Sequence, residues 1–457
     1  MDEDNNQDAP IQDPVYEDAE SSPTSSKKKI ISLVVGVLVV MLVFVLALVL
    51  IIPRLKPQKP ANITLTYWGI WEDSAVFADI ISDFQKLHPN ITVRYEKQDI
   101  KNLGKYVDRL QTRGPDLFRF HNSWVFQLKG RGILAPLPQD IVKASEIDTK
   151  YYNVVKKDLK ISGAYYGIPL QIDTLALFIN NDTFKKAGII SYPTTWDDFL
   201  RENNPYTPLT IKDPDGKITS STVALGTIDN ISHATDIISL LMVQNGAVLD
   251  KPAGDQTGKA LEYYTYFSKG DNKVWDDTLD NSKLAFIKGN LAMYFGYSWD
   301  IFDIKEKSPT LDFSVVPVPH LPGSSKTIAS YWVEGVSSKS KYQKEAFEFL
   351  KFLTTRESLE KMYAKQARIR LFGALYPRLD MADLLKDNVL IYPFITQAKD
   401  AESTIFSSDT HDDADVKALN DYLGGAVRSI VSDNSSIQSA VETLGKGVAA
   451  TMSKYGR

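Results

Sequence analysis

Residues Ile30 to Ile52 are 23 consecutive positions without a charge. At about 1.5 Å per residue, a helix of that length crosses a ~30 Å hydrocarbon core. One part of the chain is thereby committed to helix in lipid. A cleaved secretory signal has an apolar region of roughly 7 to 15 residues and a small-residue cleavage site, and neither feature is present. The run is read as an uncleaved signal anchor. Residues 1 to 26 carry eight acidic side chains and no basic one, with too few apolar residues to bury a core. The expected division is a disordered acidic cytoplasmic tail over 1–29, a transmembrane anchor over 30–52 and a stiff linker, PRLKPQKP, over 53–60. Lys27, Lys28 and Lys29 favour the tail inside, although Arg54, Lys56 and Lys59 balance them on the far side. No later apolar span follows, so everything after Pro60 is expected outside the cell as a single-pass ectodomain.

The whole chain has 457 residues, 43% hydrophobic and 24% charged, an ordinary globular composition with length for two or three domains. A net charge of -5 argues against a nucleic-acid partner, which needs a basic face. There is no cysteine, which removes disulfides, thiol nucleophiles and zinc–thiolate sites.

Beyond Pro60, strand and helix patterns alternate, which favours α/β architecture. Ile63, Leu65 and Tyr67 alternate with threonines as a first strand. Val76, Phe77, Ile80, Ile81, Phe84 and Leu87 then recur at helical spacing. A second strand holds Ile91, Val93 and Tyr95, and a third runs from Leu117 to Phe120. The stretch 165–189, YYGIPLQIDTLALFINNDTFKKAGI, reads as one apolar strand, Thr174 to Ile179. Pro169 biases Ile168 towards extended geometry before it. A helix from Thr183 to Ala187 follows, capped by Asn181 or Asp182, with Gly188 in left-handed geometry. Helices are expected over 237–245 and 260–267, a strand over 313–318, and a helix begun by Thr354 and Glu357.

In order, YWGIWED, FQKLHPNITV, GPDLFRF and LKGRGILAPL lead to the 165–189 stretch. FIKGNLAMYFGYSW (286–299), ASYWVEGVS (329–337) and RIRLFGALYPRLD (368–380) come after it. This series resembles the bacterial extracellular solute-binding proteins, family 1, which are maltose-binding-protein-like and deliver ligands to ABC importers. The resemblance covers roughly residues 61–457. It implies an α/β, two-lobed, periplasmic-binding-protein-like (type II) fold with three interlobe crossings, at 165–189, 286–299 and 329–337. Lobe 1 would comprise 61–170 and 292–328, and lobe 2 would comprise 171–291 and 329–457. It further implies a monomer that captures a small solute, a sugar or oligosaccharide, and hands it to the permease subunits of an ABC transporter, without catalysis, cofactor or metal.

An enzyme reading stands beside this one. The five histidines, at 88, 121, 233, 320 and 411, form no HExxH turn, and no GxSxG elbow, phosphate-binding loop or GxGxxG is present. A glycosidase needs only two carboxylates about 5 to 10 Å apart, so the alternative is a membrane-anchored carbohydrate-active hydrolase.

Sugars present apolar C–H faces that aromatic planes cover, while polar neighbours bind their hydroxyls. Of seven tryptophans, Trp196 and Trp275 sit where core is expected. Trp68, Trp71, Trp124, Trp299 and Trp332 follow strand ends or crossings, where open α/β sheets bind ligands. Asn122, Asp173 and Glu334 beside them suit hydroxyls, with hinge or cap hydrogen bonding as the plainer role. Arg370 is a candidate donor, and Arg378 is weighed with it against surface pairing.

Overall fold

The computed structural model describes residues 25–51, 61–99, 101, 105–200, 203–411 and 414–456. Of the disordered tail expected over residues 1–29, residues 1–24 lie outside the described residues, as does the linker over 53–60, whereas residues 25–29 are helical. Ser25–Ile51 is helical, and its large apolar side chains from Ile30 to Leu50 are exposed. Among the described residues it is the one helix long and apolar enough to cross a membrane. The chain separates into two compact units, 1–61 and 62–457.

The second unit is built on two five-stranded sheets, a three-stranded one and a two-stranded one. In the first sheet the order is Ile91–Lys97, Ile63–Gly69, Leu117–His121, Trp332–Val336 and Ile168–Pro169. The first three run parallel and the Trp332–Val336 strand is antiparallel to its neighbours. Pro169 sits in the edge strand, where a missing donor is tolerated. Gly167, at φ 145°, is required there: a Cβ would stand 2.6 Å from Val333 Cγ1 and 2.9 Å from the Glu334 carbonyl oxygen. Helices Ser74–Leu87, Gln343–Leu353 and Arg356–Ala367 pack together on this sheet. The amphipathic spacing expected over 74–87 buries Val76, Phe77, Ile80 and Phe84.

The second sheet has the order Phe313–Val316, Ala176–Asn180, Leu291–Gly296, Ile218–Val223 and Ile211–Lys212. Ala176–Asn180 and Leu291–Gly296 are buried on both faces, which is why they read as continuous apolar runs. Helix Ala234–Gln244 is buried along its whole length, and two of its polar side chains are bonded internally, Ser239 to Thr404 and Gln244 to Trp196. Trp196 and Trp275 are both fully buried.

The apolar run expected as one strand is two. Asp173–Thr174 belongs to a three-stranded sheet with Thr327–Ser330 and Ala401–Ser403, and Ala176–Asn180 to the second sheet. Leu175 is the one residue between them. The helix after it is Asn181–Lys186, capped by Asn180 rather than by Asn181 or Asp182, and Gly188 does take positive φ, 69°.

The segment 286–299 does not cross. Leu291–Gly296 stays in the second sheet, antiparallel to Ala176–Asn180. The chain passes between the sheets at 170–175, at 330–332, and again after Ala367, since helix Tyr392–Thr396 packs on the second-sheet strand Phe313–Val316. The expected lobe boundaries differ accordingly: 292–328 holds second-sheet strands, and Trp332–Val336 is a first-sheet strand. A doubly buried apolar strand announces burial but not its partner, so the pattern could not say which sheet received it.

Candidate functional site

A cleft of about 450 Å³ lies between the two main sheets, beside the three-stranded one. Trp71, Glu72 and Trp332 line it from the first sheet, joined by Arg370 and Phe372 from the segment after helix Arg356–Ala367. Lys283, Ser298, Trp299, Phe302 and Asp303 line it from the second. Asp173 and Ser330 lie at the crossings, and the loop Ser408, Asp409 and His411 completes the lining.

Aromatic rings dominate the first wall. Trp332 meets Trp71 at 5.4 Å and Trp124 at 5.5 Å between centroids, both edge to face, and His121 at 5.2 Å. On the second wall Trp299 stacks on Tyr297 at 4.3 Å and 14°. Asp300 fixes that turn: its Oδ2 accepts from Tyr297 N (3.1 Å), the Tyr294 hydroxyl (3.0 Å) and His233 Nε2 (2.8 Å). Burial weighs against the His233 charge, but Asp300 and its other acidic neighbours lift the imidazole to about 9. Asp300 in turn is held down to about 2 by His233 and Lys283 despite its burial. His233 also reaches Ser408 Oγ at 2.8 Å, tying the loop to this wall.

Beneath the first wall a buried Arg119 bonds Glu334 Oε1 at 2.6 Å and also Glu72. Gln366 Nε2 donates to Glu72 Oε1 (3.1 Å), and its Oε1 accepts from Ala374 N (2.7 Å). Burial pushes the His121 imidazole down to about 3, and that ring contacts Ser123 and Ser330 hydroxyls at 2.8 and 3.0 Å.

Of the residues singled out in the sequence, Trp71, Asp173, Trp299, Trp332 and Arg370 line the cleft, whereas Trp68, Asn122, Trp124 and Glu334 do not. Trp68 donates to Glu96 at 2.8 Å beneath the Arg109 guanidinium. Asn122 donates to Asp158 at 3.1 Å, and Trp124 is only 1% exposed. Glu334 is consumed by Arg119. Arg378 pairs with Asp380 at 2.7 Å away from the cleft. Sequence reasoning missed Glu72, which follows Trp71 directly beyond the first strand, and Phe302 and Asp303, which lie one helical turn past Trp299. Nothing periodic marked Asp409 and His411. Among the described residues no cluster of three or more His, Cys, Asp or Glu is arranged to hold a metal ion.

Asp173 joins the crossing to the second wall. Its Oδ2 accepts from Ser298 N (3.1 Å) and from the Ser298 hydroxyl, and its Oδ1 from Thr174 N (2.8 Å). Burial pushes its carboxyl up to about 8 against these bonds. It therefore folds with a proton that the unfolded chain releases above about pH 4, so its contribution to stability declines as pH rises from about 4 towards 8. Denaturant midpoints of residues 61–457 should fall across that window, and Asp173→Asn should flatten the slope. A variant with the parent's slope would place the titration elsewhere.

Residues 79–372 match the bacterial extracellular solute-binding protein family. The chain belongs to this family. Among curated relatives, the multiple sugar-binding protein of Streptococcus mutans is 21% identical over 328 residues, spanning 67% of this chain and 74% of that protein. The maltodextrin-binding protein MdxE of Bacillus subtilis is 28% identical over 203 residues, 41% of this chain and 45% of that one. Among solved structures, a cyclo/maltodextrin-binding protein complexed with maltotetraose superposes with a TM-score of 0.68 at 17% identity, over 87% of this chain and 99% of its own. The sugar-binding protein MalE of Xanthomonas citri gives 0.70 at 18%, over 86% and 98%. The fold of residues 62–457 is thus the two-domain fold of solute-binding proteins. Members of this family are substrate-binding proteins rather than enzymes, and nothing in the comparisons favours the hydrolase alternative.

Proposed function

We propose that this solute-binding protein is held to the membrane by residues 30–52, binds a carbohydrate in the cleft without turning it over, and passes it to the permease of an ABC importer. The observation that carries the reading is the cleft itself, with Trp71 and Trp332 on one wall and Trp299 on the other. Flat aromatic faces on opposed walls suit the C–H faces of a pyranose, and Glu72, Asp303, Asp409 and Arg370 beside them suit its hydroxyls. The relatives' names point the same way, to sugars and maltodextrins. A ligand touching both walls favours the closed arrangement because only differential contact shifts such an equilibrium. The two walls then move as lobes about 170–175 and 330–332, as a monomer.

Thermal shift against a panel of neutral mono- and oligosaccharides tests the binding step. A ligand at 100-fold over its dissociation constant adds about 2.7 kcal/mol of stability. Protease treatment of intact cells should release that saccharide-binding domain into the medium. Retention of the domain inside protease-treated cells would sink the topology. Sustained glycoside hydrolysis, abolished by one carboxylate substitution, would restore the hydrolase.

A further inference from the structure

We propose that Phe302 and Phe372 form an end wall that limits how long a saccharide the cleft accepts; this rests on the carbohydrate reading above. The two rings come from opposite walls. Phe302 lies in helix Asp300–Lys307, which follows the second-sheet strand Leu291–Gly296. Phe372 lies in the segment after helix Arg356–Ala367, which packs on Ser74–Leu87 over the first sheet. Both line the cleft, and their centroids stand 4.5 Å apart at 32°. Rings in contact across a cleft leave no passage between them, so the space is bounded where they meet. The cleft volume of about 450 Å³ accordingly falls near the lower end of the ~300–1,000 Å³ usual for small-molecule sites.

Both rings are anchored by their surroundings. On the first side, Arg370 Nε donates to the Phe372 carbonyl at 3.0 Å, and its guanidinium lies 5.1 Å over the Phe302 ring, so one side chain braces both. Gln366 bonds Ala374 N and Glu72 at once, fixing the segment to the wall. Gly373 lets it lie flush, since a Cβ there would come within 2.6 Å of the Tyr363 backbone. On the second side, Asp300 accepts from Tyr297 N and His233 and so fixes the start of the helix that carries Phe302. A saccharide too long for the cleft must therefore push these supported rings away from each other. Phe302 is half-buried while Phe372 is 3% exposed, so Phe302 is the ring to remove with less disturbance of the core.

The test uses the full chain in detergent, with Phe302→Ala and, as a milder truncation of the facing ring, Phe372→Leu. The probes are the di-, tetra- and hexasaccharides of α-1,4-glucan, β-1,4-glucan and β-1,4-mannan, read by calorimetry. In whichever series binds, the parent's affinity should drop at least about tenfold from its best member to the hexasaccharide, a difference well outside assay scatter. Phe302→Ala should raise the ratio of hexasaccharide to disaccharide affinity by about tenfold over the parent's. Phe372→Leu should move the same way by a smaller factor. A parent that binds hexasaccharide as well as disaccharide, or variants that keep the parent's length profile, overturns the end wall and leaves the carbohydrate reading standing. If no probe binds parent or variants, the carbohydrate reading falls and the end wall with it.

Discussion

Replacing Arg119 with methionine should cost the isolated residues 61–457 about 3–5 kcal/mol, the loss typical when one member of a buried ion network is removed and its partners stay. Arg119 is 1% exposed and lies between Glu72 and Glu334, themselves 5% and 0% exposed. Burial weighs against its charge, yet Glu334 and Glu72 outweigh that and raise its pKa well above the usual arginine value. With the guanidinium gone, two carboxylates remain in an apolar setting. Glu334, whose carboxyl burial already raises, then folds most easily with a proton. The deficit should shrink at low pH and widen as pH rises. Adding Glu72→Gln and Glu334→Gln to the arginine change should restore some of the loss, because neutral amides are far cheaper to bury than unpaired charges. Chemical denaturation of the three proteins decides the matter. A loss below about 1 kcal/mol for Arg119→Met would mean that water reaches the site and screens it as it does at a surface.

Trp71→Ala and Trp299→Ala should each weaken carbohydrate binding by roughly 30-fold, since truncating an aromatic anchor costs on the order of 2 kcal/mol or more. The two are independent in position, standing on opposite walls of the cleft. Trp196→Ala provides the contrast. Its indole is fully buried, stacks on Phe295 at 5.6 Å and donates to Gln244 at 2.8 Å. Its removal should cost about 3–5 kcal/mol of stability with intrinsic affinity nearly unchanged in the folded fraction. Calorimetry beside thermal melting separates the two classes. If both cleft variants bind the carbohydrate as the parent does, the aromatic cleft is not the site.

The long apolar helix and the α/β alternation were legible in the sequence because each rests on local physics, an uncharged run or a period. Caps were placed less exactly: Asn180 and Thr355 cap where Asn181 or Asp182 and Thr354 were expected. Sheet membership was not local. The strand Leu291–Gly296 is apolar on both faces whichever sheet receives it, and only its pairing with Ala176–Asn180 decides. The site shows the same division. Trp71, Trp299 and Trp332 could be picked as aromatics near strand ends, but nothing in the sequence says that Trp124 packs behind Trp332 or that Arg119 takes up Glu334. His411 and Asp409 line the cleft from a loop at φ 57° and 53°, with no periodicity to announce them.

The strand Trp332–Val336 sits between Leu117–His121 and Ile168–Pro169, and its Glu334 bonds an arginine 215 positions earlier. During synthesis the first sheet therefore waits, with a gap beside Leu117–His121, until the chain has grown past Val336. Closing a loop of that span before any contact rewards it makes such a sheet slow to complete. The unfilled strand edge is exposed throughout that wait, and an edge of that kind is open to pairing with other chains. A nascent chain halted before Trp332 should consequently be protease-sensitive and prone to aggregate, however well its early helices have formed.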